Sequence, residues 1–161
     1  MRSLKCLIVF LILCTQCIAA SCDTILEYSQ NHLALSGELK NLDGFVYVDL
    51  DDNYIHSLVE FIRDQGFQEP PYFGDGLIGA HITVAYPKEL NNQIIEECGM
   101  PVSFTLRECQ IVHPPRWQDI EEVYLIVVDA PILDQLREKY RLPKRQYDFH
   151  ITIGVKQKVA A

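Results

Sequence analysis

Two short segments of the sequence carry the same residue types in the same order. Residues 80–84 read Ala-His-Ile-Thr-Val and residues 149–153 read Phe-His-Ile-Thr-Ile. Side chains alternate between the two faces of a strand, so each histidine shares a face with its threonine and the aliphatic residues share the other. Each strand is therefore predicted to bury an aliphatic face and to present an imidazole beside a hydroxyl. Ala85 and Gly154 follow on the polar face and are expected to leave room there.

Two such pairs suit transfer at phosphorus. Near neutral pH an imidazole can take a proton from an attacking oxygen or give one to a leaving oxygen, so His81 and His150 together can serve both ends of the reaction. Threonine hydroxyls can donate hydrogen bonds to non-bridging phosphate oxygens, which is the role predicted for Thr83 and Thr152. One such strand alone is usually a half-exposed sheet position, but two matched copies favour a catalytic site.

We expect neither a metal nor another cofactor, because the sequence near the two segments lacks the paired His or Cys spacing typical of metal ligands. Side chains flanking the segments are candidates for substrate binding. The cations that could meet a substrate phosphate are Lys88, Lys144 and Arg145, and the rings that could stack on a base are Tyr72, Phe73 and Tyr147, with Tyr86 closing the first strand. For each of these residues taken singly, a solvated loop charge or a core ring is the favoured interpretation. We prefer the same interpretation for His113 and Trp117, which lie in a Pro-rich loop that could border the cleft.

The surrounding pattern predicts the elements that position these segments. Residues 22–40 indicate a short helix or an irregular lead-in. Strands are predicted at 45–50, 81–86, 102–112, 123–128 and 149–155, and helices at 54–65, 90–98 and 131–140. The order strand, helix, loop, strand appears twice, at 45–86 and at 123–155. We therefore expect a bilobal α+β domain, with pseudo-two-fold duplicated β-sheets and flanking helices around a central cleft.

Over residues 42–156 the sequence resembles the two-histidine (2H) phosphoesterase superfamily, and most closely its Swiss-army-knife subgroup, beside 2′-5′ RNA ligases and cyclic phosphodiesterases. The resemblance rests on residues 79–84 and 148–153. It implies that His81 and His150 are the acid/base pair and that Thr83 and Thr152 hold the phosphate. It also implies substrates with a 2′,3′-cyclic phosphate or a 2′-5′ linkage.

The first 21 residues differ in kind from the rest. Arg2 and Lys5 precede an apolar run over Cys6–Leu13, and small residues follow at 19–21, which is typical of a secretory signal peptide. The run is too short to span a bilayer as a helix. We therefore predict a signal peptide at 1–21, a single domain at 22–161, and an exported protein that is secreted, periplasmic or a membrane-anchored lipoprotein.

Three cysteines follow that segment, at positions 22, 98 and 109. An odd number is unusual in an oxidising compartment. Residues 19–22 resemble a bacterial lipoprotein cleavage box, so one hypothesis is a lipid anchor at Cys22 and a disulfide between Cys98 and Cys109. The alternative is cleavage near Ala20 and a free Cys22.

The formal net charge of −8 argues against stable binding of duplex nucleic acid, which needs clustered Lys and Arg. The function that fits best is a metal-independent phosphoesterase, acting as a monomer on a nucleotide or short RNA that carries a cyclic phosphate or a 2′-5′ linkage. Two alternatives stay open: a member that binds such ligands without turnover, and an exported interaction protein on the same fold.

Overall fold

A computed structural model describes residues 20–158, so residues 1–19 of the predicted signal peptide lie outside the described part. The elements in chain order are α1 (Ala20–His32), β1 (Ser36–Leu42), β2 (Phe45–Asp49), α2 (Asn53–His56), β3 (His81–Ala85), α3 (Pro87–Leu90), β4 (Pro101–Ser103), β5 (Thr105–Val112), β6 (Ile120–Asp129), α4 (Pro131–Lys139) and β7 (His150–Gln157). Two single turns of 3₁₀ helix, Val59–Phe61 and Arg63–Gln65, follow α2.

The strands form one antiparallel sheet in the order β4-β1-β2-β3-β7-β6-β5. The two histidine strands, β3 and β7, lie side by side at its centre and pair through Ile82 and Ile151. On either side of them the chain repeats a hairpin, a helical segment and a histidine strand: β1-β2-α2-β3, then β5-β6-α4-β7. The predicted bilobal α+β architecture is confirmed.

The repeat is longer than the sequence pattern indicated, because β1 lies in the region expected to be helical or irregular. In this strand only Leu39 is fully buried, and the other positions are partly or fully exposed. Such a strand carries little alternating hydrophobic signal. It is held by backbone pairing to β2 on one side and β4 on the other.

Two further predictions about elements need correction. The helix expected at 90–98 is a single turn, α3, which begins at Pro87 and ends at Asn91, where φ is +47°. The strand expected at 102–112 is broken at Phe104 into β4 and β5, which lie at opposite edges of the sheet. Since two residues of extended chain span only about 7 Å, the two edges must approach each other at Phe104, and the sheet is strongly curved.

The hydrophobic core lies between the helices and the aliphatic face of the sheet. Ile55 and Ile62 from the α2 region and Leu133 from α4 are fully buried, as are Ile82 and Ile151 of the two central strands. The segment predicted as a helix at 54–65 therefore packs its apolar side chains into the core, although it breaks into 3₁₀ turns. It ends at Gly66, where φ is +89°, the left-handed conformation common after a helix.

A disulfide joins Cys22 of α1 to Cys109 of β5, with their Cα atoms 5.8 Å apart, and Cys98 is free and exposed. The hypothesis of a Cys98–Cys109 pair and the alternative of a free Cys22 are therefore both wrong: the approach of α1 to β5 decides the partner. A sulfur atom in a disulfide cannot also carry a thioether-linked lipid. The disulfide and the anchor expected at Cys22 thus exclude each other. Within residues 20–158, no helix combines the length and apolar character needed to cross a bilayer.

Candidate active site

The pairing of β3 with β7 brings both histidine–threonine pairs to one place. Because Ile82 lies opposite Ile151 in an antiparallel pair, His81 lies opposite Thr152 and Thr83 lies opposite His150. The two histidines are therefore diagonal neighbours, a relationship that separates backbones by about 7 to 8 Å.

All four side chains line one cleft of about 1390 Å³. Each histidine and threonine is partly exposed to it, whereas the intervening Ile82 and Ile151 are fully buried. The structure thus brings together the four residues that the sequence singled out. One phosphate placed at the centre of this square would have an imidazole and a hydroxyl on either side.

The two imidazoles are oriented in the same way. His81 Nδ1 lies 2.8 Å from the carbonyl oxygen of Gly79, and His150 Nδ1 lies 2.8 Å from the carbonyl oxygen of Asp148. A carbonyl oxygen can only accept, so each Nδ1 must carry a proton and donate it. In each neutral ring Nε2 is then the unprotonated nitrogen, available to a substrate.

The strand pairing is irregular just after the threonine in both halves of the site. Thr83 pairs with Tyr47, but the next pair on the ladder is Ala85 with Val46, so one residue of β3 is skipped. In β7 the register shifts at the corresponding place, after Thr152. Each shift is a bulge that changes the alternation of faces beyond the threonine.

The expectation that Ala85 and Gly154 leave room beside the site is therefore wrong. Gly154 pairs with Tyr124 and faces the packed side of the sheet, where an added Cβ would lie 2.8 Å from Ile62 Cδ1. Ala85 is buried in the core as well. Gly154 must stay small because Ile62 and Phe67 pack against it.

Aromatic rings surround His81. The ring centroids of Tyr72, Phe45 and Tyr47 lie 5.2, 5.8 and 5.9 Å from the imidazole, each in an edge-on arrangement. Burial among them lowers the pKa of His81. The Gly79 carbonyl opposes that effect, nearby His150 adds to it, and Asp49 opposes it. His81 is therefore held neutral at neutral pH, the form that accepts a proton.

Six of the seven candidate substrate-binding residues lie on the cleft: Tyr72, Tyr86, Lys88, Lys144, Arg145 and Tyr147. Phe73 is not among the lining residues. Its ring stacks on His56 at 6.4 Å, while the neighbouring Tyr72 faces the cleft instead. Phe73 thus lies off the cleft, because the pattern of a loop does not reveal which of two adjacent rings turns inward.

The cations of the cleft differ in how firmly they are held. Arg145 donates to Asp134 at 2.8 Å and to the carbonyl oxygen of Tyr147 at 3.0 Å, and it lies 4.0 Å from the ring centre of Phe149. These contacts make Arg145 a support of its loop. Lys88, 6.0 Å from the ring centre of Tyr86, extends along the cleft wall.

The two walls of the cleft have different chemistry. On the His81 side Phe45 and Tyr86 form an aromatic wall, with their ring centroids 5.6 Å apart. On the His150 side β6 supplies an aliphatic floor, made by Val123, Leu125 and Val127.

The loop between β5 and β6 borders that aliphatic floor. It places His113, Arg116 and Trp117 on the cleft. The preferred interpretation of His113 and Trp117, as a solvated loop charge or a core ring, did not include this position. Trp117 is 42% exposed. The sequence feature that could have indicated this position is a tryptophan in a Pro-rich connection between two strands.

Within the described residues, no group of three or more His, Cys, Asp or Glu side chains could hold a metal ion. The chemistry that the cleft itself offers is proton transfer by two imidazoles, with hydroxyl donors beside them.

A family model described as "Swiss Army Knife, 2H phosphoesterase domain" matches residues 46–160. The match includes both histidine–threonine strands and the whole second half of the repeat. Comparison with the curated proteins and with the solved structures gave no match.

Proposed function

The chain belongs to the Swiss Army Knife family of 2H phosphoesterases, and from that premise we propose a metal-independent phosphodiesterase that acts on a cyclic phosphate or a 2′-5′ phosphodiester of a nucleotide or RNA end. The observation that carries the proposal is the square of side chains on β3 and β7, in which each imidazole keeps Nε2 free for the substrate.

Hydrolysis of a cyclic phosphate shows how the proton transfers balance. Neutral His81 takes a proton from water through Nε2 while the water oxygen forms a bond to phosphorus. The bond from phosphorus to the leaving 2′ or 3′ oxygen breaks, and protonated His150 donates the Nε2 proton to that oxygen. The product is a phosphomonoester, and proton exchange with solvent restores both histidines.

Thr83 and Thr152 have the supporting role. Each is partly exposed to the cleft beside the histidine of the other half. Their hydroxyls can donate to the two non-bridging oxygens, whose negative charge must be stabilised in the transition state. The pseudo-two-fold axis thus provides one hydroxyl for each oxygen.

The flanks of the cleft support a nucleotide as the substrate. Tyr86 is 50%, Trp117 42% and Tyr147 65% exposed, and such rings can stack on bases of any identity. Lys88 and Lys144 lie on the same cleft. An acidic chain cannot attract nucleic acid over its whole surface, so a local grip of this kind is needed.

The test is a screen of the purified chain against 2′,3′-cyclic nucleotides, RNA ends with a 2′,3′-cyclic phosphate, and 2′-5′-linked oligonucleotides. We expect turnover of at least one class in the presence of excess chelator. The variant with both histidines replaced by Ala is the control for contaminating nucleases. Binding of these compounds without turnover by the wild type would instead support the non-catalytic alternative.

A further inference from the structure

Tyr72 packs against the histidine of the first half of the site. Its ring lies edge-on to His81, with centroids 5.2 Å apart, and both side chains line the cleft. His81 lies opposite Thr152 on the neighbouring strand. The ring of Tyr72 therefore covers part of His81 on the side of the cleft.

Gly79 holds Tyr72 in this position. The Gly79 N–H donates to the carbonyl oxygen of Tyr72 at 3.2 Å, and the Gly79 carbonyl accepts from His81 Nδ1 at 2.8 Å. Gly79 has φ +75°, and a Cβ there would collide with the carboxylate of Asp52. The backbone conformation that orients His81 is thus the one that fixes Tyr72.

This arrangement is confined to one half of the described structure. Three rings contact His81, whereas among residues 20–158 no ring packs against His150. The pseudo-two-fold axis therefore relates two histidines with the same backbone orientation and different surroundings.

We propose that Tyr72 is a positioning residue that makes the two histidines unequal: its ring shields His81 from water so that His81 acts as the base. The assignment of roles rests on the proposed function. The shielding of His81 stands on geometry alone and can be measured without a substrate.

Burial raises the pKa of Tyr72 to about 12, although the side chain of Thr152 opposes this and nearby Tyr86 adds to it. The Tyr72 hydroxyl therefore stays uncharged across the neutral range, and Tyr72 acts on His81 by shielding and not by charge.

Other groups also face His81, and the effect of Tyr72 on the pKa of His81 must be distinguished from theirs. From the β2 side these are Phe45, Tyr47 and Asp49, the last paired with Lys40. From the β7 side they are His150 and Thr152. None of them changes in the variants below.

The first experiment follows the histidine ring signals by NMR as a function of pH, in a chain that has five histidines. In Tyr72→Ala water reaches His81, so we expect its pKa to rise toward the ordinary value of about 6.5. Tyr72→Phe keeps the ring and should leave the titration as in the wild type. Tyr28→Ala, which removes a ring stacked on His32, is the control for unspecific effects.

The second experiment measures kcat/KM as a function of pH with the substrate that the screen identifies. In Tyr72→Ala the acidic limb of the profile should move to higher pH, because the pKa of the base rises, whereas Tyr72→Phe should keep the wild-type profile. Tyr28→Ala is again the control for unspecific effects.

An unchanged His81 titration in Tyr72→Ala would overturn the shielding, with folding verified by the remaining NMR signals. An acidic limb that stays in place in Tyr72→Ala would overturn the effect of the shielding on the base. If the wild type turns over none of the substrates, the proposed function fails, but the titration still decides whether Tyr72 shields His81.

Discussion

His81 and His150 have the same backbone contact and opposite tasks in the proposed reaction. Replacing either by Ala should lower kcat by about 10²- to 10⁴-fold, the usual contribution of one positioned acid or base. Because the two act on one transition state, the double variant should lose less than the product of the single losses. Single-turnover measurements test this. A double variant with wild-type turnover would remove both residues from the chemistry.

Thr83 and Thr152 should matter less than the histidines. Each Ala variant removes one hydrogen bond to the phosphate and leaves the proton path intact, so the expected loss in kcat is about 2- to 10-fold. Comparison with the histidine variants on the same substrate measures the difference. A threonine variant as inactive as His81→Ala would mean that the hydroxyl has a role in proton transfer.

At the scale of single residues, the sequence was sufficient to identify the catalytic candidates but not the whole binding surface. His-x-Thr occurs twice at matching places, and strand alternation was enough to put imidazole and hydroxyl on one face. Strand alternation could not predict which way Tyr72 and Trp117 face, because each lies on a connection whose path depends on packing against distant strands.

At the scale of elements, the bulges after Thr83 and Thr152 decide where the site ends. Gly154→Ala should destabilise the protein by about 1 to 3 kcal/mol, because the new Cβ would overlap Ile62. Urea unfolding measures the change. Adding Ile62→Val should recover part of the loss, and a double variant no more stable than the sum of the single effects predicts would contradict this packing.

The disulfide is the second feature of this scale. It joins residues 87 apart in sequence and ties α1 to β5, so its loss through Cys109→Ser should cost about 2 to 4 kcal/mol of unfolding free energy. Cys98→Ser is the control and should have little effect, since that thiol is exposed and free. Equal stability of the two variants would exclude a disulfide at this position.

Strands with strong alternation were predictable, and the exceptions have physical causes. β1 is polar and depends on both neighbours for its pairing. The division of 102–112 at Phe104 follows from the curvature of the whole sheet, and the choice of Cys22 as a disulfide partner follows from the path of α1. None of these is a local property of the sequence.

For the whole molecule, a disulfide that uses Cys22 supports the proposal of export, because such bonds persist in oxidising compartments. When the chain is produced with residues 1–21 in a secreting host, intact-mass measurement should show cleavage before Cys22 and a mass two hydrogens below that of the reduced form. A chain that retains Met1 would contradict export, and an added lipid mass would favour the anchor over the disulfide.

The pH dependence of turnover tests the central claim that two imidazoles, and no metal, transfer the protons. His81 must be neutral to act as the base, and burial lowers its pKa, so activity should rise with pH below the ordinary histidine range. It should fall again at higher pH, where the acid loses its proton.

The most direct test is therefore a pH–rate profile of kcat/KM measured in excess chelator. We predict a bell-shaped profile whose acidic limb moves to higher pH in Tyr72→Ala. The rate near the maximum of the profile should be insensitive to the chelator. Activity that is lost in chelator and restored by a divalent ion would contradict it.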